Sequence, residues 1–231
     1  MAVTALGILG GTFDPVHNGH LELARELRAA LPLSAVRFVP AGMPPHRAAP
    51  IASPQDRLAM IELALAGNPG LAADPREIGR PGPSYTVLTL EELRREDPAR
   101  PLALIVGADA FLGLPAWHRW SELFSLTHVI VVARPGVDFN PLRVPLLRPE
   151  WERRHTGDAR ALVAAPAGAI LVQPVTAHDI SATAIRSELA RGATGVDAVR
   201  GLLPPAVLAY IERSQLYRIP PCPSERSKGS P

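Results

Sequence analysis

Short apolar runs alternate with amphipathic stretches along this chain. Val3–Leu9, Val36–Pro40, Leu102–Val106, His128–Val132 and Ile170–Val172 read as strands, and the Leu102 and His128 runs read as buried because they are almost continuously apolar. Leu21–Leu31 repeats its apolar residues at helical spacing. The segment after Pro54 does the same and sets Leu58, Ile61 and Leu65 on one face. Ser53 is a ready N-cap for that helix, with Pro54 at its first position and Asp56 in its first turn. Further helices are predicted from Ser84-Tyr85-Thr86 to about Arg95, around Trp117 and Trp120, from Ile180 through Arg186, and over Pro205–Gln215. Leu216-Tyr217 closes the fold. Ala72–Ile78 is a weak strand candidate, and 137–168 has scattered prolines and no stable period. Strand–helix alternation of this kind predicts an α/β fold with a doubly wound, mostly parallel sheet, whose ligands sit at the carboxyl ends of the strands.

Composition narrows the class. The chain has 231 residues, 47% of them hydrophobic, enough to bury a sizeable core in one domain, predicted over residues 1–219. Pro220–Pro231, rich in Pro and Ser, reads as a disordered tail. No apolar stretch reaches the ~18 residues of a membrane span, so no membrane partner is expected. A net charge of +2 is too mild to argue for nucleic acid. Nearly every basic residue is Arg, with Lys228 the sole lysine; the joint abundance of Ala, Arg and Pro reads as coding bias. Met1–Thr4 has no basic segment, so a signal peptide is not expected. The only cysteine, Cys222, excludes an intrachain disulfide. Both features point to the cytoplasm.

The chemistry is concentrated early. Gly10-Gly11-Thr12-Phe13-Asp14-Pro15-Val16-His17-Asn18-Gly19-His20 follows the first strand and precedes the first helix. A helix N-terminus offers unpaired N–H groups and the positive end of a macrodipole, so it favours phosphate. Glycines without a Cβ let the backbone approach a ligand closely. His17 and His20 can both donate to one anion. The stretch therefore reads as a phosphate site able to stabilise charge that develops during reaction. It is neither a Walker loop nor a dinucleotide fingerprint.

The string resembles the G-x-F-D-P-x-H-x-G-H motif of nucleotidyltransferases, a relative of the histidine motif of class I aminoacyl-tRNA synthetases. Four later motifs sharpen the likeness: Pro44-Pro45-His46-Arg47, Ser84-Tyr85-Thr86, Gly107-Ala108-Asp109 with Trp117-His118-Arg119-Trp120, and Ile180-Ser181-Ala182-Thr183-Ala184-Ile185-Arg186. In this order they resemble bacterial nicotinate-nucleotide adenylyltransferases over residues 3–218, which implies the Rossmann-like nucleotidyltransferase fold. One departure stands out. The usual Thr-x-Asp-Thr is Thr86-Val87-Leu88-Thr89 here, so Leu88 replaces an acid and leaves that position's role open.

The resemblance implies ATP contacts from Gly10, Gly11, Thr12, Phe13, Gly107, Asp109, Ile180, Ser181, Thr183 and Arg186. It implies acceptor contacts from Arg47, Thr86, Trp117 and Arg134, and catalysis by His17, His20 and Arg186. Hydroxyls, N–H groups and a guanidinium at Ser181, Thr183 and Arg186 suit a second phosphate site; a plain N-cap followed by a surface arginine is the alternative. By resemblance this segment grips the β- and γ-phosphates of ATP. Asp109 can accept from ribose hydroxyls or cap a helix, and Trp117 can stack on a pyridine ring or serve the core. Thr86 at a helix start suits a carboxylate. Arg47 and Arg134, each taken alone, are as readily solvated arginines. His118, His128, His155 and His178 lack metal-ligand spacing, so no protein-bound metal is expected; Mg2+ would come with ATP. The implied reaction is ATP plus nicotinate mononucleotide giving deamido-NAD and pyrophosphate. An adenylyltransferase for nicotinamide mononucleotide or phosphopantetheine and a non-catalytic nucleotide sensor are the alternatives.

Overall fold

The computed structural model describes residues 3–45, 49–133, 138–176 and 178–218. Its strands are β1 (Ala5–Gly11), β2 (Leu33–Pro40), β3 (Leu71–Ala73), β4 (Leu102–Gly107), β5 (His128–Ala133), β6 (His155–Thr156) and β7 (Ile170–Pro174). They form one sheet in the order β3-β2-β1-β4-β5-β7-β6, and every pairing is parallel. The chain starts in the middle of the sheet, winds outward through β2 and β3, and returns to the other side of β1 as β4. The order reverses between β1 and β4. Crevices at such switch points, beyond the carboxyl ends of the strands, are where these sheets bind ligands.

The helices are α1 (Asn18–Ala30), α2 (Pro54–Leu65), α3 (Arg76–Gly79), α4 (Thr86–Glu96), α5 (Ala108–Leu112), α6 (Leu123–Leu126), α7 (Arg148–Arg154), α8 (Ala161–Ala164), α9 (Ala182–Leu189), α10 (Ala193–Val199) and α11 (Pro205–Arg213). They cover both faces of the sheet, and the period of two along each strand sorts the core into two layers. Ala5 and Leu9 of β1, Ala103 and Ile105 of β4, and Ile130 and Val132 of β5 pack with residues of α1, α2, α9, α10 and α11. The alternate residues Leu6, Ile8, Leu104, Val106, Val129 and Val131 pack with α4, α5 and α6. With both faces covered, the central strands read as nearly unbroken apolar runs.

Several boundaries move from the sequence reading. The first strand begins at Ala5 and includes Gly10 and Gly11, because both glycines continue the ladder against Val39 and Pro40. The first helix starts at Asn18, three residues before the apolar pattern shows it, with His17 as its N-cap. The strand expected over Ala72–Ile78 is only Leu71–Ala73. Asp74 then accepts from Arg76 N and turns the chain into α3. Ile180 and Ser181 precede α9 rather than belong to it, and α10 had no counterpart in the pattern. The last helix ends at Arg213, and Gln215 turns into the left-handed region at φ 52°. Ser53 does cap α2, accepting from Asp56 N at 3.1 Å. The predicted tail 220–231 lies outside the described residues.

Candidate active site

The loop after β1 is shaped by close contacts at its glycines. Phe13 is buried with its backbone in the left-handed region at φ 50°. Its ring lies beneath Gly11, where a Cβ would come within 3.0 Å of it. A Cβ on Gly10 would meet nothing within 4 Å, so that side is open to a ligand. His17 has an extended backbone and caps α1. Its N–H donates to His20 Nδ1 at 3.2 Å, and His20 N–H donates back to the His17 carbonyl at 2.9 Å. The two imidazoles stack with centroids 3.7 Å apart, and His20 meets the Phe13 ring edge-on at 5.0 Å. Gly19 leaves room for this stack, since a Cβ there would sit 3.2 Å from His17 Nδ1.

A buried polar network braces the same loop from below. The Asp14 carboxylate accepts from Ile51 N at 2.9 Å, Ala52 N at 3.1 Å and the Tyr217 hydroxyl at 2.7 Å. Arg57 is fully buried and donates to the Thr12 carbonyl at 2.7 Å and the Gly42 carbonyl at 3.3 Å. Burial pulls the Arg57 guanidinium below the usual arginine range, with Asp14 and Tyr217 opposing. Burial and then the bond to Asp14 push the Tyr217 phenol up. Arg186, one turn into α9, donates through Nη1 to the Asp14 carbonyl at 2.7 Å and through Nη2 to Thr183 Oγ1 at 3.3 Å.

The opposite wall comes from the ends of β2 and β4 and from the start of α4. Ser84 Oγ accepts from Gly42 N at 2.9 Å and Met43 N at 3.2 Å, and Ser84 N donates to the Met43 carbonyl at 2.9 Å. A side chain at Gly42 would overlap the Glu77 carbonyl, so only glycine fits there. Thr86 is the first residue of α4, which has no side-chain cap and no acid in its first turn. The Tyr85 and His118 rings stack at 4.2 Å. Gly107 is the N-cap of α5 and Asp109 follows inside its first turn, which removes the capping alternative for Asp109. Trp117 is half-buried against the core layer under α4 and also lines the cleft.

These walls enclose a cleft of about 740 Å³ at the switch point between β1 and β4. Gly10, Gly11, Thr12, His17 and His20 line one side. Thr86, Gly107, Asp109, Trp117 and Ile180 line it too. Phe13, Ser181, Thr183 and Arg186 do not: Phe13 lies under the loop, Ser181 and Thr183 are exposed, and Arg186 reaches the loop through Asp14. Arg47 and Arg134 lie outside the described residues, as does His46. The sequence reading missed Glu77, Thr89, His118 and His178 in the lining. Of these, Thr89 carried a signal as the last residue of the altered Thr-x-Asp-Thr motif, and His118 as part of the Trp117-His118-Arg119-Trp120 motif. Among the described residues no three His, Cys, Asp or Glu gather as a metal cage, and no helix is long and apolar enough to cross a membrane.

Comparison with known proteins agrees with this geometry. The cytidylyltransferase-like family model matches residues 8–188. A probable nicotinate-nucleotide adenylyltransferase of Dechloromonas aromatica (strain RCB) is 50% identical over 215 residues, covering 92% of this chain and 97% of that protein. One of the same name from Laribacter hongkongensis (strain HLHK9) is 50% identical over 215 residues, 93% of this chain and 94% of its own. The solved Plasmodium falciparum nicotinic acid mononucleotide adenylyltransferase complexed with NaAD superposes with a TM-score of 0.71 at 14% identity, over 93% of this chain and 97% of that one, a likeness of fold. The chain belongs to the cytidylyltransferase-like family and, within it, to the nicotinate-nucleotide adenylyltransferases.

Proposed function

We propose that this enzyme transfers the adenylyl group of ATP to nicotinate mononucleotide, releasing pyrophosphate and forming deamido-NAD. One observation carries the reading: a single cleft is bounded by the histidine loop at the start of α1 and by the uncapped start of α4 beside Trp117. The first suits the triphosphate and the second suits an anionic aromatic acceptor.

An oxygen of the acceptor's 5′-phosphate attacks the α-phosphorus of ATP. The bond from that phosphorus to the α,β-bridging oxygen breaks, and its electron pair leaves with pyrophosphate. The nucleophile is already ionised at neutral pH, so no strong base is required, and catalysis is positioning plus charge stabilisation. His17 and His20 donate to the charge that grows on the bridging and non-bridging oxygens. Gly10, Gly11 and Thr12 carry the phosphates past the loop, while Gly107, Asp109 and Ile180 hold the adenosine end. Arg186, with Ser181 and Thr183, receives the leaving pyrophosphate. A guanidinium has five N–H donors, and its bonds to Asp14 and Thr183 do not exhaust them. Thr86 binds the carboxylate, Trp117 stacks on the pyridine, and Arg47 and Arg134 complete the acceptor contacts. Enzymes of this kind use a divalent ion with ATP. Mg2+, held by phosphate and water oxygens, would supply charge neutralisation there.

Purified protein with ATP, Mg2+ and nicotinate mononucleotide is expected to release pyrophosphate stoichiometrically with deamido-NAD. Turnover with phosphopantetheine and none with nicotinate mononucleotide would overturn the assignment.

A further inference from the structure

Glu77 has no part in the reaction described above, yet it is only 7% exposed and lines the cleft. It stands on the one-turn helix α3, against the wall formed by Gly42–Pro45 and the start of α4. Its carboxylate accepts from the Thr89 hydroxyl, one turn into α4. That hydroxyl oxygen accepts in turn from Arg80 Nη1 at 3.1 Å, and Arg80 Nε donates to Glu92 at 3.0 Å. The Glu77 carbonyl packs against Gly42 so closely that no side chain fits between them. Ser84, two residues before α4, holds the amides of Gly42 and Met43. Glu77 thus touches both halves of this wall: through its backbone the loop after β2, and through its side chain the helix whose N-terminus faces the cleft. α4 has no acid of its own in its first turn, since Leu88 stands at the third position. Glu77 brings a carboxylate to that turn from another element, and Arg80, ion-paired to Glu92, binds the same Thr89 hydroxyl.

We propose that Glu77 is a positioning residue for the acceptor: through Thr89 it fixes the start of α4, and through Gly42 and Ser84 it fixes the proline-rich half of the same wall. The proposal rests on the acceptor assignment above. It separates Glu77 from the ATP half of the cleft, which no side-chain hydrogen bond of Glu77 reaches among the described residues. The carboxylate's tasks are geometric. An amide of the same shape keeps one acceptor oxygen and turns a donor toward hydroxyls that need acceptors.

Two variants and two readouts test it. Glu77→Gln takes the charge from the acceptor and leaves one oxygen, Thr89→Val removes the donor, and both preserve volume. Each is expected to raise the KM for nicotinate mononucleotide about tenfold, the worth of one charge-assisted bond, while the KM for ATP stays within about twofold. In the free protein, amide exchange at Gly42 and Met43 should quicken by at least about fivefold in both variants, with β1 and β4 amides unchanged. Equal rises in both KM values, or unchanged exchange at Gly42 and Met43, would overturn the proposal. If Glu77→Gln does not fold, Thr89→Val decides by the same two readouts. A wild-type protein inactive with nicotinate mononucleotide refutes the proposed function instead, and the exchange measurement, which needs no turnover, still rules on Glu77.

Discussion

His20 gives one ring nitrogen to the fold. Nδ1 accepts the His17 amide, which assigns the ring proton to Nε2 and makes that edge a donor. The stack on His17 and the edge contact with Phe13 then fix where the donor lies, so in the proposed role little reorganisation would be needed as charge develops on a phosphate. Removing one preorganised donor of this kind costs roughly 10²–10³ in kcat. His17→Ala and His20→Ala are each expected to lose about that much in steady-state assays, with circular dichroism unchanged. A folded His17→Ala enzyme with near-normal kcat would take His17 out of the catalytic set. At this scale the sequence was informative wherever residue type alone dictates chemistry: two histidines after paired glycines, or Ser53 ahead of Pro54. It was silent about Glu77, whose significance comes from Thr89 and Gly42, neighbours made by tertiary packing alone.

Elements show the same division. β1, β4 and β5 were legible because burial on both faces turns a strand into an apolar run. The stretch 138–168 was not, because its pieces, α7, β6 and α8, are each shorter than the window over which a period becomes visible. The start of β5 depends on His128, which is 1% exposed. Its Nδ1 accepts from Ala169 N at 3.0 Å, and Nε2 lies 2.8 Å from the Ala165 carbonyl, tying the 165–169 turn to the strand. This pairing needs the neutral ring with its proton on Nε2. Burial, together with the nearby Arg94 charge, lowers the His128 pKa below the ordinary value of 6.5, against the Ala165 bond that raises it. The unfolded chain therefore binds the proton more readily. The stability His128 contributes is complete above about pH 6.5 and is lost as pH falls below that value toward the folded pKa. In His128→Leu two backbone groups lose their partner, at about 1–3 kcal/mol each. Thermal unfolding should show a variant less stable at pH 7.5 but with a shallower decline between pH 7 and pH 5. Parallel pH dependences for the two proteins would contradict the assignment.

For the whole molecule, acceptor choice depends on what the two walls present to each other. On the proposed placement a nicotinate carboxylate would meet N–H groups at the start of α4, whereas a nicotinamide would turn NH₂ donors toward those donors, an arrangement costing roughly 1–3 kcal/mol. With charge-assisted bonds to the anion added, nicotinate mononucleotide should be preferred over nicotinamide mononucleotide at least about a hundredfold in kcat/KM. Thr86→Ala is expected to narrow that ratio only partly, since the backbone donors remain. Trp117→Ala is expected to weaken both acceptors alike. Equal use of both acceptors by the unmodified enzyme would refute the selectivity. The two walls are also not independent bodies. Arg57 holds the carbonyls of Thr12 and Gly42 on one planar fork, and the Ala41 amide donates to the Gly11 carbonyl at 2.9 Å. Loops joined in this way are held at a set spacing. On the proposed arrangement that spacing bears on the gap between the α-phosphorus and the incoming phosphate oxygen. A misplacement of 1 Å in such a gap costs about 10²-fold in rate. A guanidinium outside the cleft lining thus sets the spacing of the two loops that bound the cleft.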